Sequence, residues 1–195
     1  MTIELMTIGD SFAEGRGGDT LPDGTFRGWV PQLAERLDLR EVSNLGAFGA
    51  TTQDVVDRQL AQALSCDAPL YGVTVGGNDL VARDFDPEVF RGNLRHTLTS
   101  LTLRGARVFT INWPDIPGKV PGLSDGKRRA LRLRFADAND FMNKLAAELG
   151  VLCYDMVDTA LTRDPAMWAP DGMHPSPAGH QVIAAEFAAL LEGRQ

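Results

Sequence analysis

Short apolar segments and amphipathic segments alternate along this 195-residue chain, and this alternation constrains the fold more than any single motif. Strand-like segments lie at about 3–8, 39–45, 70–75, 107–112 and 151–154. Helix-like segments lie at about 26–37, 51–64, 86–103, 128–149 and 176–191. Strands that alternate with helices form a parallel sheet covered on both faces, with right-handed crossovers. The pattern therefore predicts an α/β fold with a five-stranded parallel sheet.

The composition adds few limits beyond those of an ordinary globular domain. The chain is 44% hydrophobic and 23% charged, and we expect residues 1–195 to form a single domain with its own core. The formal net charge of -7 argues against nucleic acid or an anionic membrane surface as the main partner, because both attract basic patches. A small-molecule substrate remains open, and nothing indicates the oligomeric state.

The N-terminal segment and the two cysteines indicate the cellular compartment. Residues 1–8 enter the first strand-like segment without the basic region and the cleavage site of a secretory signal. No apolar stretch approaches the ~20 residues that span a bilayer. We therefore expect a cytoplasmic protein with no integral membrane segment. Cys66 and Cys153 lie far apart in apolar or helical surroundings, which favours free, buried thiols over a disulfide or a metal site.

Three short motifs carry the groups that can do chemistry. They are Gly9-Asp10-Ser11-Phe12 after the first strand, Gly76-Gly77-Asn78-Asp79 after the third, and Asp171-Gly172-Met173-His174-Pro175 before the last helix. Residue frequencies of a few per cent make all three together a chance event in only a few of about ten thousand such chains. Because parallel sheets bind ligands at the carboxyl ends of their strands, we expect the motifs to converge. Asp10 and Asp79 are expected to hold turns or cap helices.

Taken together, the motifs indicate a serine hydrolase. A serine hydroxyl is a poor nucleophile at neutral pH, so it needs an imidazole to take its proton and a third group to orient that imidazole. We expect Ser11 to be the nucleophile, His174 the general base and later the general acid, and Asp171 the orienting carboxylate. Taken alone, the serine and the aspartate could be ordinary turn residues. His96 and His180 lie within predicted helices, where a surface or core role is more common.

With a fourth segment, Asn44-Leu45-Gly46-Ala47-Phe48-Gly49-Ala50-Thr51, the chain resembles the SGNH hydrolases, also called the GDSL esterase/lipase family. The Ser11 motif resembles block I of that family, this segment block II, the Asn78 motif block III and the His174 motif block V. The resemblance spans almost the whole chain. It implies a flavodoxin-like three-layer α/β/α sandwich with sheet order 2-1-3-4-5, and ester or thioester hydrolysis without a metal or an organic cofactor.

The resemblance also implies the donors of an oxyanion hole, which binds the negative oxygen that develops during ester cleavage. They are the backbone N–H groups of Ser11 and Gly49 and the side-chain amide of Asn78. Gly46 lies in the same turn as Gly49. The spacing within the segment favours Gly49 as the donor and Gly46 as a turn residue, and a glycine suits either place because the backbone must approach the ligand closely.

Two loops and one basic cluster are further candidates for substrate contact, although no substrate-binding residue can be assigned. Residues 13–25 are rich in glycine and follow the nucleophile, and residues 113–123 follow the fourth strand. The second loop is long enough to be a lid, but it is equally well explained as a long connection. A basic cluster begins a helix and is either a solvated face or a site for an anionic substrate: Lys127, Arg128, Arg129, Arg132 and Arg134.

The leading hypothesis is a carboxylic ester hydrolase that acts through an acyl-enzyme on small or short-chain acyl esters or thioesters. An acyltransferase with the same serine chemistry is the alternative, because water and an alcohol or amine acceptor compete for the same intermediate. A non-catalytic binding module on the same sheet is a third reading. A dinucleotide-binding site is disfavoured, since the first strand is not followed by the G-x-G-x-x-G spacing.

Overall fold

The central sheet has five parallel strands, as the alternating pattern predicts. The structure is a computed structural model that describes residues 3–193. The strands are β1 (Leu5–Gly9), β2 (Val42–Asn44), β3 (Leu70–Thr74), β4 (Arg107–Ile111) and β5 (Leu152–Tyr154). They are arranged in the order β2-β1-β3-β4-β5, and every neighbouring pair is parallel. The sheet order 2-1-3-4-5 is thereby confirmed.

Five longer helical segments flank the sheet. They are α1 (Trp29–Arg36), α2 (Thr52–Asp54, Val55–Gln59 and Leu60–Leu64, with a π-helical middle part), α3 (Pro87–Thr102), α4 (Asp125–Leu149) and α5 (Pro177–Leu191). Pro177 occupies the first turn of α5, and the Ser176 hydroxyl accepts a hydrogen bond from the Gly179 N–H, which is the cap that the sequence predicts. Helix α4 begins three residues earlier than predicted, because Ser124 caps it.

The two faces of the sheet are covered by different helices, which gives three layers. Tyr71 on β3 points toward α2, where its hydroxyl donates hydrogen bonds to the carbonyls of Ala63 and Cys66. The next residue, Gly72, points to the opposite face, where a Cβ would collide with the Phe109 ring. Phe109 packs there against Phe187 of α5, with ring centroids 4.8 Å apart. The predicted α/β/α sandwich is therefore present.

The shorter elements were not predicted from sequence. They are the helices Ser11–Glu14, Gly77–Val81, Ile116–Lys119 and Ala160–Arg163, the 3-10 helix Pro165–Met167, and an antiparallel ribbon of Asp19–Thr20 with Phe26–Arg27. Each is too short for hydrophobic periodicity to reveal it. Two of these helices nevertheless matter for the site, because Ser11–Glu14 follows β1 directly and Gly77–Val81 begins just after β3.

The cysteines require a correction. Cys66 and Cys153 are free thiols, as predicted, but both are only partly buried. Cys66 lies in the loop after α2, and Cys153 lies on the edge strand β5, so neither position is fully enclosed. Burial still raises the pKa of the Cys153 thiol to about 12. Within residues 3–193, no helix is both long enough and apolar enough to cross a membrane.

Candidate active site

The predicted motifs meet at the carboxyl edge of the sheet, and glycine at the end of β1 makes the meeting possible. Gly9 has φ 147°, and a Cβ at this position would collide with the carbonyl of Thr74 on β3. Ser11 follows as the first residue of a short helix whose N-cap is Asp10, which accepts the Phe12 N–H at 2.9 Å. The Ser11 side chain is thus held at the strand end, with 7% of the residue exposed.

A continuous hydrogen-bonded chain joins Ser11 to Asp171. The Ser11 Oγ lies 2.9 Å from the His174 Nε2, and the His174 Nδ1 lies 2.6 Å from the Asp171 Oδ2. The second carboxylate oxygen of Asp171 accepts the backbone N–H groups of Met173 and His174, at 2.8 and 3.1 Å. Because a carboxylate only accepts, the imidazole proton belongs on Nδ1, and Nε2 is free to accept the serine proton.

The ionisation of Asp171 suits this arrangement. Partial burial raises its pKa, but the hydrogen bonds from His174 and from the Met173 N–H outweigh that effect and hold the pKa below its ordinary value. Asp171 is therefore a carboxylate at neutral pH. A fixed carboxylate beside Nδ1 can orient the imidazole and stabilise the imidazolium that forms when Nε2 takes a proton.

The two glycines of the block II segment differ in what their N–H groups do. The Gly46 N–H donates to the Asn44 side chain at 2.9 Å, and a Cβ on Gly46 would collide with the helix that begins at Ser11. The Gly49 N–H has no hydrogen-bond partner within residues 3–193, and Gly49 is exposed. Of the two, only Gly49 offers a free N–H to a ligand, while Gly46 is needed for close packing.

The other two predicted oxyanion donors also have hydrogen left for a ligand. The Ser11 N–H, at the first position of its helix, has no partner in the described part of the chain. The Asn78 amide donates one hydrogen to the Ala50 carbonyl at 2.8 Å, which leaves its second hydrogen for a ligand. Asp79 accepts the backbone N–H and the hydroxyl of Thr52, at 3.0 and 2.6 Å. The turn after β3 is therefore tied to the turn before α2.

Several buried titratable groups lie near this edge of the sheet. Burial raises the pKa of Asp10 to about 7, and the nearby Asp79 carboxylate adds to the effect. Burial also raises the pKa of Asp79 above its ordinary value. His180, which is fully buried in α5, has its pKa lowered to about 4 by burial, and its Nε2 lies 2.9 Å from the Arg16 carbonyl. His96 is exposed on α3.

A cavity of about 60 Å³ lies beside Ser11 and His174. Its lining is mainly apolar and includes Val75, Ile111, Trp113, Ile116, Trp168 and Met173. Trp113 and Ile116 belong to the loop 113–123, which the sequence singled out. Trp168 lies in a stretch with no clear periodicity and was missed. Met173 lies inside the His174 motif, and its place directly before the histidine is the one signal that could have identified it.

Most of the basic cluster holds neighbouring loops in place. The Arg132 guanidinium bonds both carboxylate oxygens of Asp115, with contacts of 2.5 to 3.0 Å. Arg128 donates to the carbonyl of Pro117. Arg134 donates to the carbonyls of Leu80 and Ala82, both at 2.8 Å. The loop 113–123 is thus fastened to α4 as a wall of the cavity. No three His, Cys, Asp or Glu side chains of residues 3–193 are grouped so that they could hold a metal ion.

Known proteins resemble this chain along almost its whole length. A family model described as GDSL-like lipase/acylhydrolase matches residues 7–182. A GDSL lipase of Mycobacterium tuberculosis is 26% identical over 203 residues, which cover 96% of this chain and 80% of that protein. A solved acetylxylan esterase from Geobacillus stearothermophilus, a catalytic mutant with a serine replaced by alanine, has a TM-score of 0.70 and 19% identity over 98% of this chain and 95% of its own. The lipase/acylhydrolase of Enterococcus faecalis has a TM-score of 0.73 and 22% identity, over 98% and 97%.

Proposed function

The chain belongs to the GDSL-like lipase/acylhydrolase family and is a carboxylic ester hydrolase, and from this premise we propose that it cleaves small or short-chain acyl esters or thioesters through an acyl-enzyme on Ser11. The observation that carries the proposal is the chain of contacts from the Ser11 Oγ through His174 to Asp171, at 2.9 and 2.6 Å. The acetylxylan esterase of similar fold has a catalytic mutant in which a serine is replaced, which supports a catalytic serine here.

In the first half of the reaction, the Ser11 Oγ attacks the ester carbonyl while the His174 Nε2 takes the hydroxyl proton. Asp171 stabilises the resulting imidazolium through its hydrogen bond to Nδ1. The imidazolium then donates its proton to the leaving alcohol, and the acyl group stays on Ser11. In the second half, the His174 Nε2 takes a proton from water while the water oxygen attacks the acyl carbon, and the imidazolium then returns that proton to the Ser11 Oγ as the acid leaves.

The negative oxygen of each tetrahedral intermediate would be bound by the N–H groups of Ser11 and Gly49 and by the free amide hydrogen of Asn78. Support comes from their hydrogen bonding, because these backbone donors have no partner within the described residues and the amide has one hydrogen left. One such donor typically stabilises the transition state by ~3 kcal/mol. All these groups lie within one catalytic domain, which the family match over residues 7–182 supports.

The decisive test is Ser11→Ala assayed with p-nitrophenyl acetate. We expect turnover to fall by about 10³-fold or more, because the acyl-enzyme cannot form. Ser100→Ala is the matched control and should keep the wild-type rate, since Ser100 lies near the end of α3 that leads into the start of β4, at the edge of the sheet opposite the site. A fluorophosphonate probe should label wild-type protein and the control on Ser11, and it should not label Ser11→Ala.

Two outcomes would contradict the proposal. Wild-type turnover by a folded Ser11→Ala variant would exclude this serine as the nucleophile, and failure of the probe to label folded wild-type protein would support a non-catalytic module. Added alcohol acceptors separate hydrolysis from acyl transfer. We expect free acid to remain the main product when methanol or glycerol is present at moderate concentration.

A further inference from the structure

The size of the cavity beside Ser11 limits what it can hold. Its volume is about 60 Å³. A cavity of about 150 Å³ holds a benzene ring, so this cavity, with less than half that volume, has room for about two or three carbon-sized groups. A longer acyl chain would have to displace its walls or extend out of its mouth into solvent, away from apolar contacts.

The cavity suits the acyl group better than the leaving alcohol. Its walls are mainly apolar, and three of the wall residues, Ile111, Trp113 and Trp168, are each less than a tenth exposed. The leaving alcohol must instead lie where His174 can protonate it and where it can depart into solvent. Such a side exists at Phe48, which is 63% exposed and whose ring centroid lies 6.4 Å from that of His174.

Trp113 is a fixed part of the wall. Its backbone N–H and carbonyl are both bonded to the Asn139 side chain of α4, at 2.8 and 2.7 Å. Its ring packs against Phe90, with centroids 5.8 Å apart, and it lies so close to Gly76 that a Cβ there would collide with it. The backbone of Trp113 is therefore fixed by hydrogen bonds, and the indole cannot move aside without losing its packing.

The other wall is held as well. The Trp168 indole N–H donates to the Leu161 carbonyl at 3.3 Å, and the Lys119 ammonium lies 4.9 Å from its ring centroid. Lys119 also donates to the Thr162 carbonyl. Because Asp115 is bonded to Arg132, the short helix that carries Ile116 is fastened too. The walls that carry Trp168 and Ile116 are thus held in place by contacts with neighbouring segments.

We infer that the enzyme accepts acetyl and propionyl esters and discriminates against longer acyl chains, and that the Trp113 indole sets this limit. The inference rests on the proposed function, since it concerns the acyl group carried by Ser11. Trp113 acts here as a specificity-determining residue and takes no part in bond making.

The test compares p-nitrophenyl acetate, propionate, butyrate, hexanoate and octanoate, which share one leaving group. We expect kcat/KM of the wild type to be similar for the first two and to fall at least about 10-fold by hexanoate, because one methylene too many costs about 10–200-fold in a hydrophobic pocket and hexanoate has three more methylenes than propionate. Trp113→Leu should raise the ratio of hexanoate to acetate turnover at least about 10-fold, because it removes most of the wall.

Controls separate pocket size from general loosening. Phe187→Leu removes a fully buried ring on the opposite face of the sheet and should leave the ratio unchanged. Trp113→Phe and Ile116→Ala are milder changes in the wall, and they keep the test open if Trp113→Leu does not fold. Each should raise the ratio by a smaller factor. Thermal melting followed by circular dichroism identifies the folded variants.

The outcomes distinguish this inference from the proposed function. If the wild type hydrolyses none of the esters, the proposed function fails. If it hydrolyses all chain lengths equally, or prefers octanoate, ester hydrolysis stands and the acyl limit is wrong. If Phe187→Leu changes the ratio as much as the folded Trp113 variants do, the limit is real but Trp113 does not set it.

Discussion

The two sides of Ser11 are built differently. On one side lies the cavity, whose walls come from strand ends and from two fastened loops, and whose residue Trp113 is 5% exposed. On the other side lies the segment 44–51, which presents the free N–H of Gly49 and the exposed ring of Phe48. The Arg16 guanidinium lies 4.0 Å from the centroid of that ring and is paired with Glu14 at 3.1 Å.

The difference teaches which part of an ester the protein can select. A small apolar cavity with packed walls discriminates by size, because a surplus methylene must displace packed side chains or lie outside the apolar lining. The exposed Phe48 ring, beside solvent, excludes few leaving groups, so many alcohols can lie against it. We therefore expect strong selection for the acyl group and weak selection for the leaving group, and three variants test this contrast.

The largest effect on turnover is expected from Asn78→Ala, because Asn78 contacts the structure on both sides of Ser11. Its amide donates to Ala50 in the block II segment, and the residue also lines the cavity. Loss of the amide should lower kcat by about 10²–10³-fold for every ester, the usual cost of removing an oxyanion donor. Steady-state kinetics with acetate and butyrate esters measure the change.

Asn93→Ala is the matched control for this variant. Asn93 lies on α3 and does not line the cavity; its amide donates to the Gln53 side chain at 3.1 Å and lies 3.4 Å from the Thr52 hydroxyl, so its loss should leave kcat within about 2-fold. A fall in kcat of less than about 5-fold in a folded Asn78→Ala variant would contradict the role of its amide in the transition state.

The sequence points to the proposed reacting groups, which the structure brings together, but it does not point to the cavity. Ser11, Asp171 and His174 could be identified because nucleophilic catalysis demands those residue types, and the alternation of strands and helices places their motifs at one edge. The pocket wall offers no such signal. Trp168 follows a single 3-10 turn and makes an isolated bridge to Pro175, so neither a helical nor a strand period marks it.

The basic cluster shows a second limit of sequence interpretation. A run of positive charge at the start of a helix is usually solvated. Arg128 and Arg132 instead fasten a loop that precedes them, through a backbone carbonyl of Pro117 and the carboxylate of Asp115. These contacts depend on how the loop folds back onto α4, and the charge pattern alone does not contain that information.

An intermediate effect is expected on the free energy of unfolding. On the exposed side of Ser11, the His180 side chain is hydrogen-bonded to the carbonyl of Arg16. Its folded-state pKa of about 4 lies below the ordinary value of 6.5, so the unfolded chain binds the proton more readily. Stability from this group is therefore present above pH 6.5 and is lost as the pH falls toward 4. Between pH 6.5 and 4.5 the loss should be about 2 kcal/mol.

Urea unfolding of the wild type and of His180→Gln at the two pH values measures this loss. Glutamine can still donate to the Arg16 carbonyl but does not titrate, so the variant should lose about 2 kcal/mol less than the wild type over this range. His96→Gln, at an exposed position on α3, should keep the wild-type dependence. An equal loss in the wild type and in His180→Gln would show that the buried imidazole is not the group that titrates.

The smallest effect is expected from Phe48→Ala, which removes the exposed ring on the open side. Stability should change by less than about 0.5 kcal/mol, because surface substitutions away from buried contacts cost little. With a fixed acetyl group, KM for phenyl and p-nitrophenyl acetate should rise by about 2–5-fold, and KM for ethyl acetate should hardly change, since only an aromatic alcohol loses a stacking partner.

The ratio of hexanoate to acetate turnover tests whether the two sides of Ser11 act separately. If the two sides of Ser11 act separately, Phe48→Ala should leave the ratio of hexanoate to acetate turnover at its wild-type value, whereas Trp113→Leu changes that ratio and leaves the ranking of leaving groups intact. The double variant should show both the changed acyl ratio of Trp113→Leu and the raised KM of Phe48→Ala, because the free-energy changes of residues that share no contacts add independently. A shift in acyl preference in Phe48→Ala alone would mean that the acyl chain lies on the exposed side, against the assignment of the cavity.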